Sequence, residues 1–306
     1  MLNVLATTVP VFLIMALGYA AVRFGLFTKA EIAPMGRLVI NVTLPALLFL
    51  SLAGQPLATI ANPEYLLAYG LGSLVVLAGG YLLFRLRGRD APGSAIPALG
   101  MAASNSAFVG LPVALHFFGP IASVAVALSM MVENFLVFPL VFAAAEEGSG
   151  GDRGLAARLG ARLLPVVRNP LLIAIVAGTL ASLLQVEPPE PLMRSLDMLA
   201  RASTSLALFV VGGTLVGLRV GGMISDVSIV TLGKLILHPL AVAACVFLFL
   251  PGDPLGPVAI LLAAAPIFSI YAIIGQRYGL GESAAAALFV ATAASFVTLN
   301  LLLWLL

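Results

Sequence analysis

Ten blocks of almost unbroken apolar sequence, 17 to 24 residues long, follow one another at 4–22, 36–53, 65–84, 95–114, 121–144, 169–185, 202–218, 228–250, 256–275 and 284–305. A hydrocarbon core about 30 Å thick is crossed by about 20 helical residues, so each block is near the length of one crossing. Only 9% of the residues are charged, against about 25% in soluble domains. The chain could not cover a water-facing surface. A membrane β-barrel would show alternating ten-residue strands in place of long blocks. The predicted fold class is an all-α polytopic membrane protein of ten transmembrane helices. The amino-terminal "MLNVLATTVPVFLIMALGYAAVRFG" has no basic residue ahead of its apolar run and reads as a retained first span. Cys245 is the only cysteine, so no intramolecular disulfide can form.

The basic residues orient these spans. With the amino terminus outside, the inner connections hold thirteen of the fifteen Lys and Arg residues, and only Arg194 and Arg201 fall outside. A missed or extra helix in the middle would scramble that asymmetry. Both termini are therefore predicted outside, with Trp304 an interfacial anchor. The basic residues serve topology and give no reason to expect a nucleic-acid partner. One long connection divides the chain into 1–145, a linker at 146–168 predicted to be cytoplasmic, and 169–306. The linker's Arg158 and Arg162 share a helical face, suiting a short helix on the inner membrane surface. Five spans on each side force the second half to enter the bilayer in the opposite sense, which predicts two inverted five-helix repeats.

Inside a block greasy enough to cross a bilayer stands "SNSAFVGLPV", residues 104–113. Glycine and proline weaken a helix there, while Ser104, Asn105 and Ser106 offer side-chain groups to backbone atoms freed by a break. Pro266 interrupts the corresponding block of the second half, in "LLAAAPIFSIYAIIGQRYG", which also carries Ser269 and Tyr271. Interrupted helices meeting near the midplane are where transporters of inverted-repeat plan bind substrate. Their amino-terminal ends would favour a carboxylate. The alternative is a pair of kinked helices packed closely at Gly110, with Pro112 and Pro266 as kinks.

Other polar residues sit inside blocks. Glu133 lies near the middle of span five, where a charged carboxylate costs about 2.5–3.5 kcal/mol to insert. It either couples transport to a proton or cation, or is a neutral strut between helices. Lys234 and His238 are four apart and share a helical face. They form either an interfacial anchor with a packed histidine or part of an anion pathway. Asn41, with Pro45 four residues on, would line the cavity or cap a kink. His116 falls in an outer connection and reads as solvated. Met130 and Met131 read as lipid or core contacts.

"INVTLPALLF" at 40–49, "SNSAFVGLPV" at 104–113, "NPLLIAIVAGTL" at 169–180, "LFVVGGTLVGL" at 208–218, "KLILHPL" at 234–240 and "AAAPIFSIYAIIGQRYG" at 263–279 together resemble the auxin efflux carrier family. The likeness runs in order along nearly the whole chain. It implies a fold related to the bile-acid–sodium symporters and sodium–proton antiporters, with broken helices 4 and 9 crossing. It also implies a scaffold of helices 1, 2, 6 and 7 and a moving domain of helices 3–5 and 8–10. By the same resemblance Asn134 stands where relatives hold substrate with a polar residue. Plant members often have proline at the crossing in both halves, where this chain has Ser104 in the first. After Pro266 the expected polar residues appear as Ile267, Phe268, Ser269, Ile270 and Tyr271. With no long hydrophilic central loop, the chain looks like the short bacterial form, placed in the cytoplasmic membrane.

The function this implies is secondary transport of a small carboxylate, malonate- or malate-like, or of an auxin-like weak acid, by an elevator motion. A cation–proton antiporter or sodium-coupled symporter of the same architecture is the alternative, and coupling to a proton or sodium stays open. A homodimer through scaffold helices would suit an elevator. Neither a cofactor nor a metal site is expected. No Asp falls in a predicted span, and there is no Gly-x-Ser-x-Gly or phosphate-cradling loop, which argues against an intramembrane enzyme.

Overall fold

Lipid offers no partner to a backbone amide, so a spanning segment must satisfy its own hydrogen bonds. The computed structural model describes residues 2–54, 62–145, 170–185, 188–217 and 224–305, and these are helical apart from short connections. The helices are α1 (Leu2–Arg23), α2 (Lys29–Ala53), α3 (Pro63–Leu86), α4 (Ala91–Ala102), α5 (Ser106–Phe118), α6 (Ile121–Ala145), α7 (Pro170–Leu184), α8 (Glu190–Thr214), α9 (Ile224–Phe249), α10 (Leu255–Ala264), α11 (Tyr271–Arg277) and α12 (Gly281–Leu305). Six of them, α2, α3, α6, α8, α9 and α12, are long and apolar enough to cross a membrane. Val9–Arg23 of α1, together with α5, α7 and α10, are shorter apolar helices. The surface helix expected around Arg158 and Arg162 lies outside the described residues.

Two helices begin well before their apolar blocks, for local reasons. At α2 a capping box starts the helix at Lys29 instead of 36. The Thr28 hydroxyl accepts from the Glu31 amide at 3.3 Å, and the Glu31 carboxylate accepts from the Thr28 amide at 2.7 Å, which satisfies two otherwise orphaned donors. At α8 the helix starts at Glu190 instead of 202. Its first turns carry the i,i+4 pairs Glu190–Arg194 at 2.7 Å and Asp197–Arg201 at 2.8 Å. A hydropathy window discards such charged turns, whereas the helix extends through them.

The contacts divide the chain into two compact units. The first comprises Met1–Pro63, Ala107–Leu128 and Val167–Val216. Within it α1 runs against α8 so closely that Gly18 meets the carbonyl of Phe209 while Gly212 meets the carbonyl of Met15. Without a hydrophobic drive between lipid-immersed helices, close approach at small residues supplies the packing energy. Gly178 of α7 touches the backbone of Phe49 in α2 in the same way.

The second unit comprises Glu64–Ser106, Ser129–Val166 and Gly217–Leu306. Gly72 of α3 lies against the backbone of Val242 in α9, and Met101 of α4 wedges between Gly80 and Gly233. Where the loop after α3 meets the first turn of α9, Asp226 pairs with both Arg87 and Arg89.

Among the described residues, four π-helical turns interrupt otherwise regular helices, at Val39–Thr43, Ser106–Gly110, Glu133–Val137 and Gly233–Leu237. Each ends two residues before a proline: Pro45, Pro112, Pro139 and Pro239. The ring of a proline collides with the carbonyl four residues earlier and offers it no N–H. Widening the preceding turn relieves that collision and leaves the helix continuous. Pro45 and Pro112, expected as helix breaks, therefore mark wide turns, with Gly110 closing the second of them. The true interruptions lie elsewhere. Between α4 and α5 the chain is extended at residues 103–105, and between α10 and α11 it leaves the helix at residues 265–270.

Candidate functional site

The second unit carries both interruptions at their meeting point, and backbone joins them. Ser104 and Ile267 form an antiparallel bridge, and the Asn105 amide donates to the Pro266 carbonyl at 2.7 Å. Pro266 has no N–H to donate and takes part in this bridge through its carbonyl alone,. The Asn105 side-chain amide donates to Ser269 Oγ at 3.0 Å. Asn105 and Pro266 are buried, Ser269 is half-buried and Ile270 is exposed, so the crossing reaches the surface at Ser269–Ile270. The buried Ser106 hydroxyl lies beside Tyr69 and Glu133.

Behind the crossing runs a chain of buried polar side chains. Tyr65, Tyr69 and Ser73 stand at i, i+4 and i+8 of α3, one face of the helix. The Tyr65 hydroxyl pairs with Ser129 Oγ at 2.8 Å. Tyr69, stacked on Tyr65 at 6.0 Å, donates between Ser104 Oγ at 3.4 Å and Glu133 Oε1 at 3.3 Å. The same Glu133 oxygen accepts from the Ser104 amide at 3.0 Å. That amide is one of the groups left open by the break, so the buried carboxylate satisfies backbone the helix abandoned.

Lys234 sits on the π turn of α9 and is fully buried. Its Nζ donates to Ser104 Oγ at 2.6 Å and to the Ala263 carbonyl at 2.8 Å, and it pairs with His238 Nδ1 at 2.7 Å, which accepts when Lys234 is an ammonium,. Ala263 lies in the last turn of α10, at the negative end of the helix dipole, where the helix stops short of supplying its carbonyl a partner,. With Nδ1 accepting, the remaining imidazole proton sits on Nε2 and donates to Ser73 Oγ, 2.9 Å away,. Lys234 thus does not reach for the headgroups as an interfacial anchor would. Glu133 and Lys234 attract one another, with Ser104 between them.

Removing the Tyr69 hydroxyl isolates one link of this chain. Tyr69→Phe keeps the ring on Tyr65 and loses a hydrogen bond shared between two weak contacts, worth about 1 kcal/mol. A fall of roughly 2–4 °C in the thermal midpoint of the detergent-solubilised protein is expected. An unchanged midpoint would show the contact to be energetically idle.

Other expected site residues are placed differently. The Asn134 amide turns back onto its own helix and donates to the Met130 carbonyl at 2.8 Å. Asn41, exposed in the first unit, does the same to Arg37 at 2.7 Å. Pro45, Gly110 and Pro112 also belong to the first unit. The Tyr271 hydroxyl donates to the Ile96 carbonyl at 3.1 Å, and the ring lies over Gly100. It serves as a strut between α11 and α4. Tyr271 also lines a cavity of about 80 Å³ with Arg89, Asp226, Val230, Leu280 and Ser283. His116 is exposed at the end of α5, and Met130 is buried. The expected residues did not include Tyr65, Tyr69, Ser73 or Ser129. The 65–69–73 spacing of polar groups on one face of an apolar helix was the signal for the first three.

Apolar helices in number, two of them broken against each other and lined with buried polar groups, define a multi-pass membrane transporter. Residues 3–153 and 157–305 match the family described as membrane transport protein, the auxin efflux carriers, and the chain belongs to it. It is 30% identical over its whole length, and over 96% of the relative, to a Rhizobium meliloti (strain 1021) protein named "Putative malonate transporter". Over 76% of this chain and 74% of the relative it is 28% identical to the uncharacterized transporter YfdV of Escherichia coli (strain K12). An uncharacterized transporter of Methanothermobacter thermautotrophicus is 26% identical over 96% of both chains.

Proposed function

We propose that the chain is a secondary carrier of a small organic anion, of the malonate and malate class, and that the anion is held at the crossing of the two interrupted helices. The observation that carries this reading is the polar set of buried Asn105 and Ser106 with half-buried Ser269, at a crossing that reaches the surface. Asn105 supplies an amide, and Ser106 adds a buried hydroxyl. Lys234 places a positive charge one residue away, behind Ser104. A carboxylate wants donors and a cation around it. The name of the Rhizobium meliloti relative adds malonate as the first compound to try.

The alternating-access step is an elevator motion in an inverted repeat of ten helices, with the crossing as cargo. It is supported by the grouping of both interruptions in one compact unit, and by the odd span count per half expected from the sequence. The distribution of basic residues supports an inner connection at Arg87 and Arg89 and both termini outside, in a cytoplasmic membrane.

The test is a thermal-shift panel of mono- and dicarboxylates on the purified protein, followed by flux in proteoliposomes. A dicarboxylate is expected to raise the midpoint and to move saturably. Asn105→Ala, which removes one directed donor worth about 1.4 kcal/mol, is expected to lower flux at limiting substrate about tenfold. Flux untouched by Asn105→Ala would put the anion somewhere else.

A further inference from the structure

We propose that Lys234 is the resident cation of this carrier. Its ammonium fills, on a tether, the seat that a free coupling ion would need at the crossing, and the carrier therefore works without sodium. The inference deepens the transport reading above and rests on it for its functional half.

Stoichiometry comes first. An ammonium has three N–H groups and no acceptor. Lys234 has three acceptors, Ser104 Oγ, His238 Nδ1 and the Ala263 carbonyl, all within 2.8 Å. The seat is full. Two of those acceptors come from the two interruptions themselves: Ser104 from the break between α4 and α5, and Ala263 from the frayed end of α10. A carbonyl at a helix end together with a hydroxyl is what a small monovalent cation would select. Here a side chain from a third helix takes both, and ties the two breaks to α9.

Charge comes second. An ammonium at Lys234 can only donate, so His238 Nδ1, 2.7 Å away, then accepts and its Nε2 faces Ser73; that imidazole is neutral, and the seat holds one positive charge. Glu133 answers it through Ser104, and Tyr69 supports the carboxylate. A free cation arriving here would meet a like charge in a region of low dielectric, where repulsion is poorly screened. The fixed charge is also useful. It stays beside the anion's place at Asn105 and Ser106 in every cycle, and has no need to be bound and released.

The experiment is chemical replacement. Lys234→Ala removes three methylenes and the ammonium, the outline of n-propylammonium. In detergent, the thermal midpoint of the wild-type protein is expected to be unchanged when sodium is exchanged for potassium or choline. Lys234→Ala is expected to melt roughly 10 °C lower. n-Propylammonium should restore at least half of that loss, while tetramethylammonium, equally charged but without N–H groups, and uncharged n-propanol should not. In proteoliposomes, wild-type flux should be indifferent to sodium, and Lys234→Ala flux should return only with n-propylammonium. A sodium requirement in the wild type, a variant as stable as wild type, or a variant that n-propylammonium does not raise would each overturn the proposal. If the variant does not survive extraction, the wild-type exchange decides. If no carboxylate moves, the transport reading fails, whereas the melting and its rescue still test the seat.

Discussion

Glu133→Ala is expected to destabilise the folded protein by about 3–5 kcal/mol, the range seen when one partner of a buried charge pair is removed. Three losses coincide. The Ser104 amide loses its acceptor in the middle of a helix break, the Tyr69 hydroxyl loses the nearer of its two partners, and the Lys234 ammonium loses its counter-charge. Water cannot readily make good the deficit, since Glu133 is 5% exposed and Ser104 3% exposed. Glu133→Gln separates the causes. Its amide oxygen can still accept from Ser104 and Tyr69, so it should recover most of the hydrogen-bond energy and none of the charge. Thermal midpoints of the three proteins in one detergent check the order: wild type highest, Gln between, Ala lowest. An Ala variant as stable as the Gln variant would mean that the carboxylate contributes by charge alone.

Gly212→Leu in α8 is the second large effect. A Cβ at Gly212 would overlap the carbonyl oxygen of Met15, and the neighbouring contact of Gly18 with Phe209 is of the same kind. Overpacking a core usually costs about 1–3 kcal/mol because side chains can yield. Here the obstacle is backbone, and it cannot rotate away. Relief requires α1 and α8 to separate along their length, which forfeits the Gly18 contact as well, so a loss of at least about 3 kcal/mol is expected. Gly79→Leu is the matched control, since nothing lies within 4 Å of a Cβ there. A change below about 0.5 kcal/mol is expected for it. Equal loss in both variants would trace the effect to leucine in a membrane helix generally and not to this contact.

Much of this molecule is legible in the chain itself. The apolar blocks announce their helices because lipid leaves the backbone no other choice, and the interruptions at Ser104–Asn105 and Pro266 stand out as polar or proline residues in greasy runs. Glu133, Lys234 and His238 are conspicuous for the same reason, and the structure gathers all three behind the crossing. What escaped was partnership. Asn134 and Asn41 are as polar as Asn105, yet each closes on a carbonyl of its own helix. Only the wound geometry of the turn decides between those outcomes. Tyr65 and Tyr69 passed as apolar bulk, since a tyrosine's ring counts towards hydropathy while its hydroxyl does the binding. Helix starts at Lys29 and Glu190 were missed because capping and i,i+4 pairing work at the level of single turns.

The π turns ahead of Pro45, Pro112, Pro139 and Pro239 reach beyond packing. Each is a bend already present in the backbone, held open by a ring that cannot be wound tighter, and three of them contain Ser106, Glu133 and Lys234. A spanning rod with such ready-made niches can trade one polar head for another, amide for acid or amine for alcohol, without learning a new path through the bilayer. A substitution at any of these three positions then alters a polar group inside the helix at an address that a proline announces five or six residues downstream.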